Sequence, residues 1–309
     1  MSNYIQDSSK TRIMISNPAR LTRTGVDGKL FRCPFCEGHE IDTPPEVMRI
    51  GSGAPDSTGW QIRVVPNKFN ITDIHEVVIH SPDHDRNFED LDLSQIEKII
   101  SVYKERYNFY KDKGQVFIFA NQSSTSGASL VHPHSQISII PQDKETNALP
   151  FQPIVNIIEQ NESYVAYCPE YSEWAYETWI AQNQVFNFEN ISDKQVKDLA
   201  IILQKMLQKL KKIHATVGNF SKRPFGYNFY ISIPQNVIPS RARNLGVEDT
   251  VNTKNASLDF SATPRNDELN NWYLRIIPRF IERAGFELST GLMVNSKPAK
   301  EASDELKKI

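Results

Sequence analysis

The chain has 309 residues, of which 39% are hydrophobic and 23% charged, with a formal net charge of -2 at pH 7. This is the composition of a soluble globular protein, long enough for one large domain or for two of about 150 residues each. A charge so near neutrality excludes nucleic acid or an anionic membrane as a partner held by bulk charge, and no stretch approaches the ~18 apolar residues of a membrane span. The polar run Met1 to Lys10 contains no apolar signal core, so the expected compartment is the cytoplasm. The three cysteines, Cys33, Cys36 and Cys168, are too few for a secreted disulfide scaffold. Cys168, between Tyr167 and Pro169, reads as an inert buried thiol.

In chain order, residues 11–32 are mixed and arginine-rich, and Thr43-Pro44-Pro45 marks a break after the cysteine pair. Trp60–Pro66 and His75–His80 read as strands with a Pro-Asn turn between them. Ser94 with Glu97 has the spacing of a capping box, followed by Ile96, Ile99, Ile100, Tyr103, Tyr107 and Tyr110 at helical intervals, which predicts a helix ending near Lys113-Gly114. Val116–Ala120 and Gln136–Ile140 are short apolar strands separated by a small-residue loop, 123–129. The second half repeats this order. Strand candidates at 163–168 and 174–180 precede a second capping box, Ser192 with Gln195. That box opens a helix through Val196, Leu199, Leu203, Met206, Leu210 and Ile213. Strands at Tyr227–Ile233 and Trp272–Ile277 follow, then a terminal helix within 294–308. Strands, one long helix and more strands, twice over, predict an α+β duplication of antiparallel sheets with packed helices, divided as 1–150 and 151–309. The polar stretch from Pro234 to Glu268 reads as a lid, a binding loop or an insertion.

Cys33-Pro-Phe-Cys36 can be a zinc half-site, a redox dithiol or a coincidence of spacing. A redox pair should open a helix after a strand, whereas Glu37-Gly38-His39-Glu40 follows here and favours a metal knuckle. Tetrahedral zinc needs two further N or S donors. Spacing alone allows a local site closed by His39. It equally allows a long-range site using a histidine near the His75–His80 strand and one from His132-Pro133-His134.

On a strand, residues i and i+2 share a face, so His132, His134 and Gln136 should project together. Three polar side chains on one face of so apolar a segment are costly to bury without partners. The plain reading is a polar edge strand or a second metal site. Gln136, the Gly127–Ser129 turn and the distant cysteine pair favour chemistry instead. A neutral imidazole is a good nucleophile toward phosphorus near neutral pH, and a covalent phosphoramidate divides one hard transfer into two easier ones. The Gln136 amide, the Ser129 and Ser135 hydroxyls and the loop N–H groups are suitable donors for the developing phosphoryl charge.

These motifs resemble the galactose-1-phosphate uridylyltransferase family, a branch of the histidine-triad superfamily that includes ADP-glucose and diadenosine-tetraphosphate phosphorylases. Cys33–Glu40 with Thr43-Pro-Pro-Glu46, Trp60–Phe69, His75–His84 and above all Asn121 with Gly127–Gln136 carry the likeness, joined by Pro224–Asn228, Pro278–Phe280 and Gly285–Gly291. The resemblance implies zinc as cofactor, bound by Cys33, Cys36, His84 and His132. It implies His134 as the nucleophile that becomes nucleotidylated, with Gln136, Ser129, Ser135, Gly127 and Asn121 on the phosphate side. Arg20 and Arg23 have the spacing of the family's phosphate-side arginines, Asn67 faces the nucleoside, and His39 becomes a surface or supporting residue. Glu287 stands where the family contacts the sugar, often from the partner subunit, which implies a homodimer. The sequence departs from the family in four places. Tyr273-Leu274-Arg275 occupies the position of a second His-x-His pair, so a second metal site is expected to be absent; the usual Arg-Pro-Trp near the N-terminus is missing; Ser135 replaces a glycine, as in the phosphorylase branch; and the loop 234–268 is non-standard.

The leading expectation is therefore transfer of an NMP group from a nucleotide-sugar to a sugar 1-phosphate through nucleotidyl-His134. A phosphorylase that uses inorganic phosphate as acceptor is the alternative within the same chemistry. Hydrolysis is a weaker version, and a zinc-stabilised nucleotide-binding protein without turnover is the alternative from another class.

Overall fold

The computed structural model describes residues 2–8, 12–18, 20, 32–146, 148–234 and 271–309. Arg23 and the loop from residue 235 onward lie outside them. At the N-terminus, β1 (Asn3–Gln6) and β2 (Ile13–Ser16) pair as a separate antiparallel ribbon. The first half then runs β3 (Met48–Gly51), β4 (Trp60–Pro66), β5 (Ile74–Ile79), α1 (Leu93–Tyr110), β6 (Gln115–Gln122) and β7 (His134–Ile140). The second runs β8 (Ile157–Gln160), β9 (Tyr164–Tyr167), β10 (Thr178–Gln182), α2 (Asp193–Thr216), β11 (Tyr227–Ser232) and β12 (Tyr273–Pro278), and ends with α3 (Gly285–Thr290) and α4 (Ala299–Lys307). No helix among the described residues is long and apolar enough to cross a membrane.

All ten strands from β3 to β12 form one antiparallel sheet in the order β3-β4-β5-β7-β6-β11-β12-β10-β9-β8. Read inward from either edge the order is the same, so the fold is α+β with two equivalent five-stranded halves joined edge to edge through β6 and β11. The equivalence extends to single positions. Asn121 and Asn228 face each other across the junction, and Phe119 stands opposite Tyr230. Gln136 of β7 pairs with Phe119, as Arg275 of β12 pairs with Tyr230.

Both long helices cover one face of the sheet. From α1, Ile96, Ile99, Ile100 and Tyr103 meet Leu199, Leu203, Met206 and Leu210 of α2. Together they bury Ile62, Val78, Ile118, Ile137, Phe229, Leu274 and Ile276 from the strands. The second capping box forms as expected: Ser192 Oγ accepts from Gln195 N–H, and Ser192 N–H donates to Gln195 Oε1 at 2.7 Å. The first does not. Helix α1 starts at Leu93 with Asp92 in extended conformation at its N-cap, so Ser94 lies inside the helix; the Gln95 amide donates to the Gln61 and His80 carbonyls and ties the first turn to the sheet.

With one face filled by helices, polar side chains concentrate on the other. In the second half that face is neutralised. Arg275 donates to Glu177 through Nε at 2.7 Å and a terminal nitrogen at 2.8 Å, and reaches Glu173 at 3.1 Å and the Tyr230 hydroxyl at 3.1 Å. Side-chain exposure is 5% for Arg275 and 0% for Glu177, so each charge depends on the other for its solvation. Breaking the pair strands a buried guanidinium. Glu177→Ala should destabilise the fold by ~3–5 kcal/mol, read as a lower urea midpoint; a midpoint within error of wild type would show that the pair is dispensable.

Candidate active site

The cysteine knuckle is a tight turn, with Cys36 N–H bonded to the Cys33 carbonyl and His39 N–H to that of Cys36. The His39 ring donates from Nδ1 to the Cys33 carbonyl at 2.7 Å, so it braces the turn and takes no part in the cluster that the turn presents. Cys33, Cys36, His84 and His132 place one ligand atom each within 4.8 Å of one another. The separations are 3.2 Å from Cys36 Sγ to His84 Nδ1, and 3.6 and 3.8 Å from Cys36 and Cys33 Sγ to His132 Nδ1. A tetrahedral centre with ordinary metal–sulfur and metal–nitrogen bonds spaces such atoms ~3.5 Å apart, so the donor set fits a metal ion. His132 is also prepared electronically. Its Nε2–H donates to the Ser81 carbonyl at 2.9 Å, which leaves the lone pair on Nδ1, facing the sulfurs. Burial pulls its pKa down to about 4, so the ring is neutral at physiological pH, and burial pushes the Cys33 thiol up to about 11. A bound cation would reverse the second effect, because thiolate is the coordinating form.

His132 is not on the strand. β7 begins at His134, and His132 lies in the preceding bend, turned toward the cysteines. The expected row of three is therefore a pair, His134 and Gln136, on the helix-free face beside Val77 and Ile79. The His134 ring donates its Nδ1–H to the His132 carbonyl at 2.8 Å, which makes Nε2 its basic nitrogen. Phe35, between the two cysteines, sets its ring edge against His134 with centroids 5.3 Å apart, and against His132 at 6.1 Å. The knuckle thus touches both histidines.

His134 and Gln136 open onto a cavity of about 100 Å³ also lined by Phe35, Asn67, Lys68, Phe69, Ser129 and Leu130. Its outer wall, 67–71, is held by several bonds. Asn67 N–H donates to the His75 carbonyl, Ile71 N–H to His75 Nδ1, and Arg20 to the Phe69 carbonyl at 2.7 Å. Arg20 therefore reaches the site through this wall. Gly127, at φ +81°, ends the short turn Ser124–Ser126 that leads to Ser129. Asn121 lies on β6, next to Ala120, which pairs with Ser135 of β7; one step further along that register brings it opposite His134. Two expected residues are elsewhere. Ser135 has the opposite strand parity, is fully buried and faces the helices, so its hydroxyl cannot reach a phosphate in this cavity. Glu287 is in α3, where its carboxylate accepts the Ala284 N–H, and it does not line the cavity. A far larger cavity of about 1160 Å³ lies on the same face around Phe117, Tyr230 and Tyr273. It is lined by no histidine, cysteine or carboxylate, so size does not locate the chemistry here.

Residues 73–139, which hold His84, His132, His134 and Gln136, match the family described as galactose-1-phosphate uridyl transferase, N-terminal domain. ADP-glucose phosphorylase of Arabidopsis thaliana is 24% identical over 94% of this chain and 88% of its own length. The chain is thus similar to galactose-1-phosphate uridylyltransferases over this segment and to ADP-glucose phosphorylase along nearly its whole length. It is accordingly an enzyme of the nucleotidyltransferase and phosphorylase class. Galactose-1-phosphate uridylyltransferase of Haemophilus influenzae is 28% identical over 47% of this chain, which spans about half of that relative's length (49%). The crystal structure of Arabidopsis ADP-glucose phosphorylase with bound ADP-glucose has the same fold, with a TM-score of 0.69 at 23% identity, covering 100% of this chain and 99% of that one.

Within this uridylyltransferase-like site, Phe35, His75 and Asn228 make contacts that the sequence motifs did not single out: Phe35 packs on His134, His75 holds Asn67 and Ile71, and Asn228 bonds Asn121. Phe35 could have been suspected from its place inside the knuckle. The other two depend on contacts between strands. Metal analysis should find one ion per chain held by the four-residue cluster, and Cys36→Ser should release it and slow any reaction at His134. Full occupancy in Cys36→Ser would remove that cysteine from the ligand set.

Proposed function

We propose that this protein transfers an NMP group from a nucleotide-sugar to a phosphate acceptor through a covalent nucleotidyl-His134 intermediate. The observation that carries this reading is the His134 ring, with Nδ1–H bonded to the His132 carbonyl and Nε2 left as the basic nitrogen beside the Gln136 amide. In the first step the Nε2 lone pair forms the N–P bond to the α-phosphorus, and the P–O bond to the β-phosphate breaks, releasing the sugar 1-phosphate with that electron pair. The ring becomes cationic, and the His132 carbonyl stabilises it through the retained Nδ1–H. In the second step an acceptor phosphate oxygen attacks the same phosphorus, the N–P bond breaks, and neutral His134 returns. Gln136, Ser129 and Asn121 are assigned to the phosphoryl oxygens, Gly127 to the turn that places Ser129, Asn67 to the nucleoside, and Arg20 and Arg23 to the phosphate side. Ser135 is assigned no contact with substrate.

The metal is proposed to be zinc, by the Cys2His2 donor set, and it fixes His132 and hence His134 without entering the reaction. Residues 1–150 carry the chemistry and 151–309 support it. Glu287, away from this cavity, is assigned to the sugar end of the site across a homodimer. Two acceptors fit the mechanism, inorganic phosphate and a hexose 1-phosphate. The sequence match to ADP-glucose phosphorylase over 94% of the chain, against 47% and 59% for the uridylyltransferases of Haemophilus influenzae and Thermotoga maritima, favours ADP-glucose with inorganic phosphate.

Incubation with ADP-glucose or UDP-glucose should add one NMP to the intact mass of the wild type. His134→Ala should abolish the adduct and lower turnover by roughly 10⁴-fold. Discharge by phosphate or by galactose 1-phosphate then identifies the acceptor. Wild type that stays unmodified with every donor, while still binding mononucleotides, would establish the binding-protein alternative instead.

A further inference from the structure

Among the described residues, the second half carries no histidine at the position equivalent to His134. In its register Arg275 takes the place of Gln136, and Ile277, opposite Asn228, takes the place of His134. Yet it keeps an asparagine, Asn228, at the position equivalent to Asn121, and that side chain points across the junction. Asn228 Nδ2 donates to Asn121 Oδ1 at 2.7 Å and to the Ser126 carbonyl at 2.9 Å. Both acceptors lie on the segment that leads from β6 to the histidines. The same segment is held by other groups of the second half. Gly226 approaches it so closely that a Cβ would lie 2.0 Å from Thr125 Oγ1 and 3.0 Å from the Gln122 carbonyl. Arg279 donates from Nε to the Thr125 carbonyl at 3.4 Å, and its main-chain N–H bonds the Gly226 carbonyl at 2.9 Å.

We propose that Asn228 is a positioning residue for nucleotidyl transfer, lent by the inactive half of the sheet to the active half. An amide has one acceptor oxygen and one donor nitrogen on opposite sides. With Oδ1 committed to Asn228 on β11, Asn121 turns its two N–H donors away from β11, toward the His134 side of the row. Without Asn228 the Asn121 amide can rotate and offer its oxygen to the phosphate, replacing attraction with repulsion. The second bond, to the Ser126 carbonyl, holds the turn that delivers Gly127 and Ser129. The two halves thus divide the work. One carries His134, and the other fixes the orientation of the donors opposite it.

This inference rests on the proposed reaction, and its test separates the two. Asn228→Ala, the size-retaining Asn228→Leu, Asn121→Ala and the double variant Asn121→Ala/Asn228→Ala are compared for the single-turnover rate of His134 labelling by ADP-glucose or UDP-glucose, for AMP and UMP affinity by calorimetry, and for urea midpoint. Asn228→Ala or Asn228→Leu should slow labelling by about ten-fold or more in a folded protein. Adding Asn228→Ala to Asn121→Ala should cost less than about two-fold further, because the two act as a unit. Labelling at the wild-type rate in both Asn228 variants, or losses that multiply in the double variant, would overturn it. If the wild type forms no adduct with any donor, the proposed reaction fails and mononucleotide affinity decides for Asn228. The same non-additive loss of affinity supports its role, and unchanged affinity sinks it.

Discussion

The site depends on what His132 does with three of its groups at once. Its Nδ1 faces the two cysteines, its Nε2–H is bonded to the Ser81 carbonyl, and its own carbonyl receives the Nδ1–H of His134. The first two fix the ring, and a fixed ring fixes the main chain that carries the third. Since a neutral imidazole has only one N–H, bonding it at Nδ1 determines which nitrogen can attack phosphorus. A metal held by this cluster would thereby govern the orientation of His134 without touching it. Replacing His132 by another metal ligand could preserve the ion and still lose this arrangement, if the carbonyl moved.

Duplication explains why the supporting machinery looks redundant. Two equivalent half-sheets each present a helix-free face, and a polar group on either face needs a partner or a substrate. The first half leaves His134 and Gln136 facing a cavity. The second closes the same region with Arg275, Glu177 and Glu173, stacked on Trp179 and Tyr230. A buried ion pair adds little net stability over apolar packing of the same volume, but it holds its members to one geometry. That rigidity lies next to the junction strands β11 and β6, where small displacements would reach Asn121.

Much of this was legible in the sequence, for identifiable reasons. The long helices announced themselves through apolar periodicity, and Ser192–Gln195 through local hydrogen-bonding chemistry that needs no tertiary partner. Ser94–Glu97 has the same spacing but forms no box, because the helix already begins at Leu93 and Ser94 lies inside it. The metal ligands were legible only by resemblance, since Cys36 and His84 meet across 48 residues and Cys33 and His132 across 99. Ser135 shows the limit of motif reading. Its neighbours in sequence, His134 and Gln136, line the small cavity, yet the two-residue period of a strand sends its hydroxyl into the core. The short strands β3 and β8 and the ribbon of β1 and β2 carry too few residues for periodicity to mark them.

Strand parity also accounts for the small cavity, and not the large one, holding the imidazole and the amide. On β7 only every second residue faces the helix-free side, and of these His134 and Gln136 lie toward the strand's N-terminal end, where the knuckle covers them. Further along the same face come Ser138 and Ile140, which line the larger cavity with Phe117 and Phe119 of β6. The polarity of that face therefore changes within a single strand, from imidazole and amide at one end to aromatic and aliphatic groups at the other. A phosphate needs donors held in place and little water, and the knuckle end supplies both through Phe35, Ser129 and Gln136. The aromatic end supplies area without charge. A substrate with a charged centre and a less polar remainder is matched by this gradient in one orientation, with its phosphorus at His134.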